Sequence, residues 1–422
     1  VVVLECHSRI GGNAVRSNGT MAFVEGGERE QQAFVADAHA AYRREADRYG
    51  LRWDGTAVLL FAAESAETLR ILCERGVRFG PRSMRAGHSS DRLRTALVPS
   101  DLARAFAAEF ASPSIRTLVQ VRAESLLLVS GRVVGVRARR GPGGLPLTVN
   151  ARRAVILATG GYQAGQGLRA LHRPDIPVDV PWYGLGHCRG DGHRMGAAIG
   201  AELVNMTYLP PAVLVPSSLV EAAIAVNACG VRFHDETGPF RERVAALQAQ
   251  PGRLGFYLLP ESVARQQTRL IAQLPRPPLR AQDPEALAAD LKLPWTGLRH
   301  TLGLWNRFLA SGQQRDPQFG RLVPPQARLP LQGPLLALPM VEGVNISCGG
   351  FRTTAQMQVL DCCGRVIPGL FAAGDTTAGL NVAASMLGLH ISGALTQGRI
   401  AGRAAADVPL HELAAAAAGS AC

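Results

Sequence analysis

The chain has 422 residues, a formal net charge of +12, 47% hydrophobic and 18% charged residues. That length and apolar share exclude wholesale disorder and leave room for two domains. The charge is almost all arginine, with Lys292 the one lysine among 45 basic residues. The arginines are scattered and aromatics are only 5%. This argues against nucleic acid as a partner and favours an anionic small molecule, because arginine grips carboxylates bidentately.

No long uncharged apolar run is present, so no membrane span is expected. The start, Val1-Val2-Val3-Leu4-Glu5, lacks the basic region of a signal peptide and lacks Met, so the sequence is expected to begin inside a longer chain. The eight cysteines have no CxxC spacing and include the adjacent pair Cys362-Cys363. They read as reduced thiols of a cytoplasmic protein. Neither Cys6-His7 nor the group His187, Cys188 and His193 has metal-ligand spacing, and no metal is expected.

In chain order, residues 1–5 read as a buried parallel strand ending in an acid. Gly11-Gly12-Asn13 and Ser17-Asn18-Gly19-Thr20 follow as a polar loop. Helices are predicted over 31–49, over 64–76 before the Gly76 stop, and from Ser100-Asp101 to about Glu109. Strands are predicted over Arg116–Leu128 and Arg132–Arg137 around the turn Ser130-Gly131. A second buried strand, Ala154–Ala158, runs into Thr159-Gly160-Gly161. From 165 to 335 prolines cluster and strand signals thin out, which predicts an inserted domain with irregular loops. Patterning returns at Leu338. A hairpin turning at Gly364 leads to the strand Gly369–Ala373 and Gly374-Asp375, and a closing helix spans 386–406. The expected division is 1–164, an insertion at 165–335, 336–412, and a low-complexity tail at 413–422.

Three strand-to-loop junctions carry chemistry. Glu5 is placed to accept hydrogen bonds from ribose hydroxyls. Gly11, Gly12 and Asn13 let backbone amides approach a pyrophosphate. Ala158, Thr159 and Gly160 form a second junction, and Gly374-Asp375 a third whose carboxylate can take a sugar-chain hydroxyl. Each alone is a weak signal, and their order is far more specific.

In that order the sequence resembles the flavoprotein family of fumarate reductase and succinate dehydrogenase, which includes tricarballylate dehydrogenase and 3-ketosteroid dehydrogenase. The blocks are GGNAVRSNG at 11–19, LATGGY at 157–162, RGDGHRMGAAIGAELVNM at 189–206, VNACGVRFHDE at 226–236 and CGGFRTTAQMQVLDCCGRVIPGLFAAGD at 348–375. The stretch from Arg232 to Leu259 is most similar to the tricarballylate dehydrogenase branch. The resemblance implies an α/β protein: a two-part, Rossmann-like FAD-binding domain interrupted by an α+β capping domain, with substrate beside the flavin. The enzyme implied transfers a hydride between FAD and a small organic acid or ketosteroid-like substrate. Its electron donor or acceptor is left unspecified.

Carried over by position, the resemblance gives Glu5 the adenosine ribose. Asn13, Asn18 and Gly19 line the pyrophosphate and flavin approach, and Val121 meets adenine through its backbone. Asp191 contacts the cofactor, Asp375 binds the ribityl chain, and His390 and Ile391 face the flavin pyrimidine. Arg241, Arg243 and Tyr208 are the proton-transfer candidates. Asn345 and Ser385 stand where fumarate reductases carry a substrate-binding histidine and arginine, so fumarate and succinate are poor expected substrates. Asn13 stands where membrane-bound members carry the flavin-linking histidine, so FAD is expected to be noncovalent. The family's GxGxxG loop belongs upstream of Glu5, and an N-terminal truncation is expected. Its loss, with the two changed pocket residues, supports an alternative: an inactive flavoprotein relic or binding subunit.

Overall fold

The computed structural model describes residues 1–84, 87–98, 100–380 and 386–411. The chain divides into two units. Unit 1 comprises 1–178, 184–209 and 346 onward, and unit 2 comprises 179–183 and 210–345.

Unit 1 opens with β1 (Val2–Glu5). Helix α1 (Glu28–Tyr49) starts three residues before the expected 31, with Glu28 and Glu30 in its first turn, where the helix dipole favours acids. It buries Phe34, Ala38 and Ala41 at helical spacing and stops at Gly50, whose φ is +60°. Helix α2 (Gly55–Glu74) starts nine residues before the expected 64, because the Asp54 side chain accepts from the Thr56 N–H and caps it. Helix α3 (Ser100–Phe110) forms as expected.

The predicted strand 116–128 divides at Gln120, whose φ is +55°. Its first half, β2 (Arg116–Val119), runs parallel to β1, with Glu5 opposite Val119. Its second half, β3 (Val121–Val129), joins β4 (Arg132–Arg140) and β5 (Leu145–Asn150) in an antiparallel meander. Ser130 and Gly131, at φ +48° and +75°, make the hairpin turn between β3 and β4. The sheet of β1 and β2 has no third strand among the described residues, and Val2 is 45% exposed. The expectation of a buried β1 is corrected accordingly: its residues are exposed or half-buried. Strand β6 (Val155–Leu157) and helix α4 (Asp191–Ala197) complete this part.

Unit 2 is built on four antiparallel strands: β7 (Ile224–Asn227), β8 (Gly255–Pro260), β9 (Leu279–Ala281) and β10 (Leu335–Pro339), in the order β7-β8-β10-β9. Helix α5 (Phe240–Gln248) lies between β7 and β8 in sequence, and α6 (Trp295–Ala310) between β9 and β10. One sheet face packs Val226, Leu258 and Ala337 with Leu298, Leu302 and Trp305 of α6. The other packs Ala225, Tyr257 and Leu338 with Val244 and Leu247 of α5. Strands covered on both faces read as unbroken apolar runs rather than alternating ones. This corrects the expectation of irregular loops over 165–335.

Unit 1 resumes with β11 (Gln358–Leu360), β12 (Val366–Ala372) and α7 (Leu389–Asp407). Strand β12 runs parallel to β6 and antiparallel to β11. The expected insertion boundary of 165 lies well before the structural one: residues 184–209 pack within unit 1. The composition change marks where strand patterning thins, not where packing changes partner. Gly196 shows the packing, since a β-carbon there would lie 2.3 Å from the Phe351 ring.

Candidate functional site

Two stretches far apart in sequence meet because β6 and β12 are parallel neighbours. The register Leu157 to Ala372 sets Ala158-Thr159-Gly160 beside Ala373-Gly374-Asp375 at the carboxyl ends of the pair. Ligands of open α/β sheets bind at such ends. The Thr159 and Thr376 hydroxyls lie 3.2 Å apart, and Thr376 donates to the Gly160 carbonyl at 3.1 Å. Gln397 of α7 accepts from the Gly374 N–H at 2.8 Å and from the Thr377 hydroxyl at 3.1 Å. Gly160 and Gly374 have φ of +72° and +73°, a region strained for any residue with a β-carbon. Ala158 and Thr159 are exposed, so their backbone groups are open to a ligand. Thr376 and Gln397 escaped sequence reasoning. The only signal was that Thr376 follows the Gly-Asp pair.

Helix α7 starts beside this junction. Gly388, at φ +83°, caps it, and the Gly388 carbonyl accepts from the Ala22 N–H at 3.0 Å. His390 in its first turn lies with Nδ1 2.9 Å from Asp375 Oδ1. Ile391 packs against the cluster of Met21 and Phe23. Burial alone would lower the His390 pKa, but the charge and hydrogen bond of Asp375 outweigh it and raise it. Unfolded histidine titrates near 6.5. The stability contributed by the pair is therefore complete below about pH 6.5 and is lost as pH rises through the raised folded value. The expected result is a thermal midpoint that falls from pH 6 to 8 more steeply in the parent than in His390→Gln. Equal slopes contradict the pairing.

The N-terminal loop lies in the same unit. Glu5 ends β1 and accepts from the His7 N–H at 2.6 Å. Gly11 and Gly12 are exposed with positive φ. The Asn13 amide is already engaged: Oδ1 accepts from the Leu185 N–H at 2.9 Å, and Nδ2 lies 3.2 Å from Cys188 Sγ. Asn13 thus ties this loop to residues 184–188. Burial, followed by the Asp375 charge, pushes the Cys188 thiol up to about 11, and Glu5 and Cys6 add to it. Cys188 therefore lies in the electrostatic reach of both carboxylates, Glu5 and Asp375.

Asn18 caps its own turn, accepting from the Thr20 N–H at 3.1 Å. Gly19, at φ +76°, sits against Ala96, whose N–H it receives at 3.0 Å. Val121 is buried at the start of β3, opposite Arg140. The Asp191 carboxylate is held by Arg122 and Arg194. Tyr208 is 1% exposed, and its ring centre lies 5.0 Å from that of Tyr49, a packing role. His193 is fully buried, and burial lowers its pKa to about 4.

In unit 2, Arg241 is exposed while Arg243 is 6% exposed, so the first turn of α5 splits the two proton-transfer candidates between solvent and interior. Asn345 is half-buried and follows the short strand Glu342–Val344. Ser385 lies outside the described residues.

The donor set of unit 1 fits a dinucleotide. The Glu5 and Asp375 carboxylates can accept hydrogen bonds from sugar hydroxyls, and exposed backbone at 11–12 and 158–159 can meet phosphates. The start of α7 adds a partial positive charge.

Comparison with known proteins agrees. Residues 1–389 match the FAD binding domain family. The chain is 27% identical over 313 residues to an NADH:acrylate oxidoreductase of Vibrio harveyi, covering 69% of this chain and 30% of that protein. It is 26% identical to a vinyl phenol reductase of Lactiplantibacillus plantarum, covering 96% and 91%. The open conformation of a flavocytochrome c3 fumarate reductase superposes with a TM-score of 0.74 at 25% identity, covering 96% of this chain and 73% of that one. The chain spans less than half the length of several curated relatives it matches. No helix among the described residues is long and apolar enough to cross a membrane. With an FAD-type donor set at its strand ends and a family match over most of its length, this chain belongs to the FAD binding domain family, and its cofactor is FAD.

Proposed function

We propose that the chain is the flavin-carrying part of an oxidoreductase that moves a hydride between a carbon–carbon bond of a small organic substrate and noncovalent FAD. The observation that carries this reading is the junction of Thr159-Gly160 with Asp375-His390. Relatives named for acrylate and vinyl phenol reduction support a carbon–carbon double bond as the reacting group. When bound, FAD supplies the hydride chemistry.

The residues bind, orient and handle a proton. Asp375 accepts a ribityl hydroxyl and is oriented by His390. Backbone at 11–12 and 158–160 meets the phosphates. The start of α7, with His390 and Ile391, stabilises negative charge on the ring system. Arg241, exposed on α5, is the proton-transfer residue of this proposal; Arg243 is turned inward. A tricarboxylate such as tricarballylate fits if Arg241 supplies charge, and a neutral, ketosteroid-like molecule fits the uncharged Asn345 and Ser385. A cytoplasmic setting and a separate electron donor or acceptor belong to the same proposal. The inactive-relic reading draws on those two replacements.

An absorbance scan decides between the readings. Isoalloxazine bands that a reductant bleaches and an unsaturated substrate restores support the enzyme; a flavin-loaded protein that no unsaturated acid, vinyl phenol or ketosteroid reoxidises supports the relic. Asn13, an amide, cannot form the histidine–flavin link, so acid precipitation is expected to release all flavin into the supernatant. Flavin remaining in the pellet contradicts noncovalent attachment.

A further inference from the structure

Unit 1 buries a histidine outside the junction of Asp375 and His390. His88 is 8% exposed, and its Nε2 lies 2.9 Å from the Leu387 carbonyl. A carbonyl only accepts, so Nε2 carries the proton. Nδ1 is then a bare lone pair, buried without a hydrogen-bond partner among the described residues. Burial lowers the His88 pKa and the Arg92 charge adds to it, so the ring is uncharged at neutral pH. A buried acceptor without a donor is unfavourable. Packing alone would favour an apolar side chain there, and what the histidine adds is its single bond to Leu387.

The ring stands on a platform built from α1. Asp37 Oδ2 accepts from the Ser89 N–H at 2.9 Å and from the Ser89 hydroxyl at 2.8 Å, and it pairs with the fully buried Arg92. The Arg92 guanidinium carbon lies 5.7 Å from the Phe34 ring centre. Residues 88–92 are thereby tied to the helix that buries Phe34, Ala38 and Ala41.

Leu387 immediately precedes Gly388, the cap of α7. A trans peptide is planar, with its carbonyl and N–H pointing opposite ways. Fixing the Leu387 carbonyl therefore also sets the direction of the Gly388 N–H. The next carbonyl, of Gly388, accepts from the Ala22 N–H at 3.0 Å and from the Ser392 hydroxyl at 2.8 Å. Two successive peptides at the start of α7 are fixed in this way, the first of them by His88. The seat is tight, since a β-carbon on Gly388 would lie 2.7 Å from the Ala22 nitrogen.

We propose that His88 is a positioning residue for the flavin: its Nε2–H fixes the Leu387–Gly388 peptide and so aims the positive end of the α7 dipole at the ring system. This rests on the reading above that α7 begins beside the flavin. A helix dipole stabilises a reduced, anionic flavin more than an oxidised, neutral one, so a loosened α7 start lowers the reduction potential.

The test is the midpoint potential of bound FAD, measured anaerobically against reference dyes in the parent, His88→Gln and His88→Leu. A glutamine amide nitrogen reaches about as far as Nε2 and keeps the bond, and leucine removes it. His88→Leu is expected to lose about tenfold of the preference for reduced over oxidised flavin, the scale of a helix-dipole contact in a partly buried site. A two-electron couple reads that loss as a fall of about 30 mV. His88→Gln is expected to stay near the parent. Should His88→Leu fail to fold, His88→Asn, whose amide stops short of Leu387, replaces it. A flavin-loaded His88→Leu with the parent's potential overturns the proposal and leaves the redox reading standing, as does a His88→Gln that falls as far as His88→Leu. A parent that takes up no FAD overturns the redox reading itself, and this proposal with it.

Discussion

Flavin-loaded protein is expected to reduce fumarate two to four decades more slowly than a dedicated fumarate reductase. Fumarate presents two carboxylates that must be fixed while a hydride arrives at one carbon and a proton at the other. By resemblance, the two groups that grip them are a histidine and an arginine, and this chain has Asn345 and Ser385. An amide donates a neutral hydrogen bond, and a serine is too short for a bidentate grip. Losing two charge-assisted contacts of roughly 1.5–3 kcal/mol each lowers transition-state binding by about 3–6 kcal/mol. Dye-linked turnover with fumarate, a tricarboxylate, a vinyl phenol and a ketosteroid measures it. Fumarate turnover of about 10 per second or more, an ordinary enzymatic rate, contradicts the substrate-binding role that the resemblance implies for positions 345 and 385.

The largest expected effect on stability is at Glu236. This carboxylate is fully buried, 2.7 Å from both Arg232 and Arg321, and its Oε1 accepts from the Ala225 N–H at 2.9 Å. Burial alone would raise its pKa, but the two guanidiniums outweigh it and hold it at about 2. Removing one partner of a buried ion pair leaves an uncompensated charge and costs about 3–5 kcal/mol. Glu236→Ala is therefore expected to lower the unfolding free energy of unit 2 by about that amount. Because the folded pKa lies below the unfolded value, the contribution is present above about pH 4.5 and is lost as pH falls toward 2. Trp305, 5.2 and 5.5 Å from the Arg232 and Arg321 guanidiniums, reports the unfolding by fluorescence. A loss below about 1 kcal/mol, the scale of an exposed pair, contradicts the burial argument.

The sequence made some features legible and hid others for physical reasons. Glu5, Gly160, Gly374 and Asp375 were visible because strand ends carry an abrupt change from β-branched or apolar runs to glycine and acid. The neighbouring relation of β6 and β12 was not visible, since a parallel pair can join segments separated by a whole unit. The strand Gly255–Pro260 was hidden because both its faces are covered, which erases the alternation that marks a half-buried strand. The engagement of Asp191 by Arg122 was hidden because those residues are 69 apart in sequence. Arg241 and Arg243 looked equivalent until α5 placed one outside and one inside.

The central claim is that the strand-end junction at Asp375 holds FAD. It is tested by loading parent and Asp375→Ala with FAD, passing both through gel filtration and measuring flavin per chain. A charge-assisted hydrogen bond of roughly 1.5–3 kcal/mol predicts at least about tenfold weaker retention in the variant. Equal flavin occupancy in the two proteins contradicts the assignment.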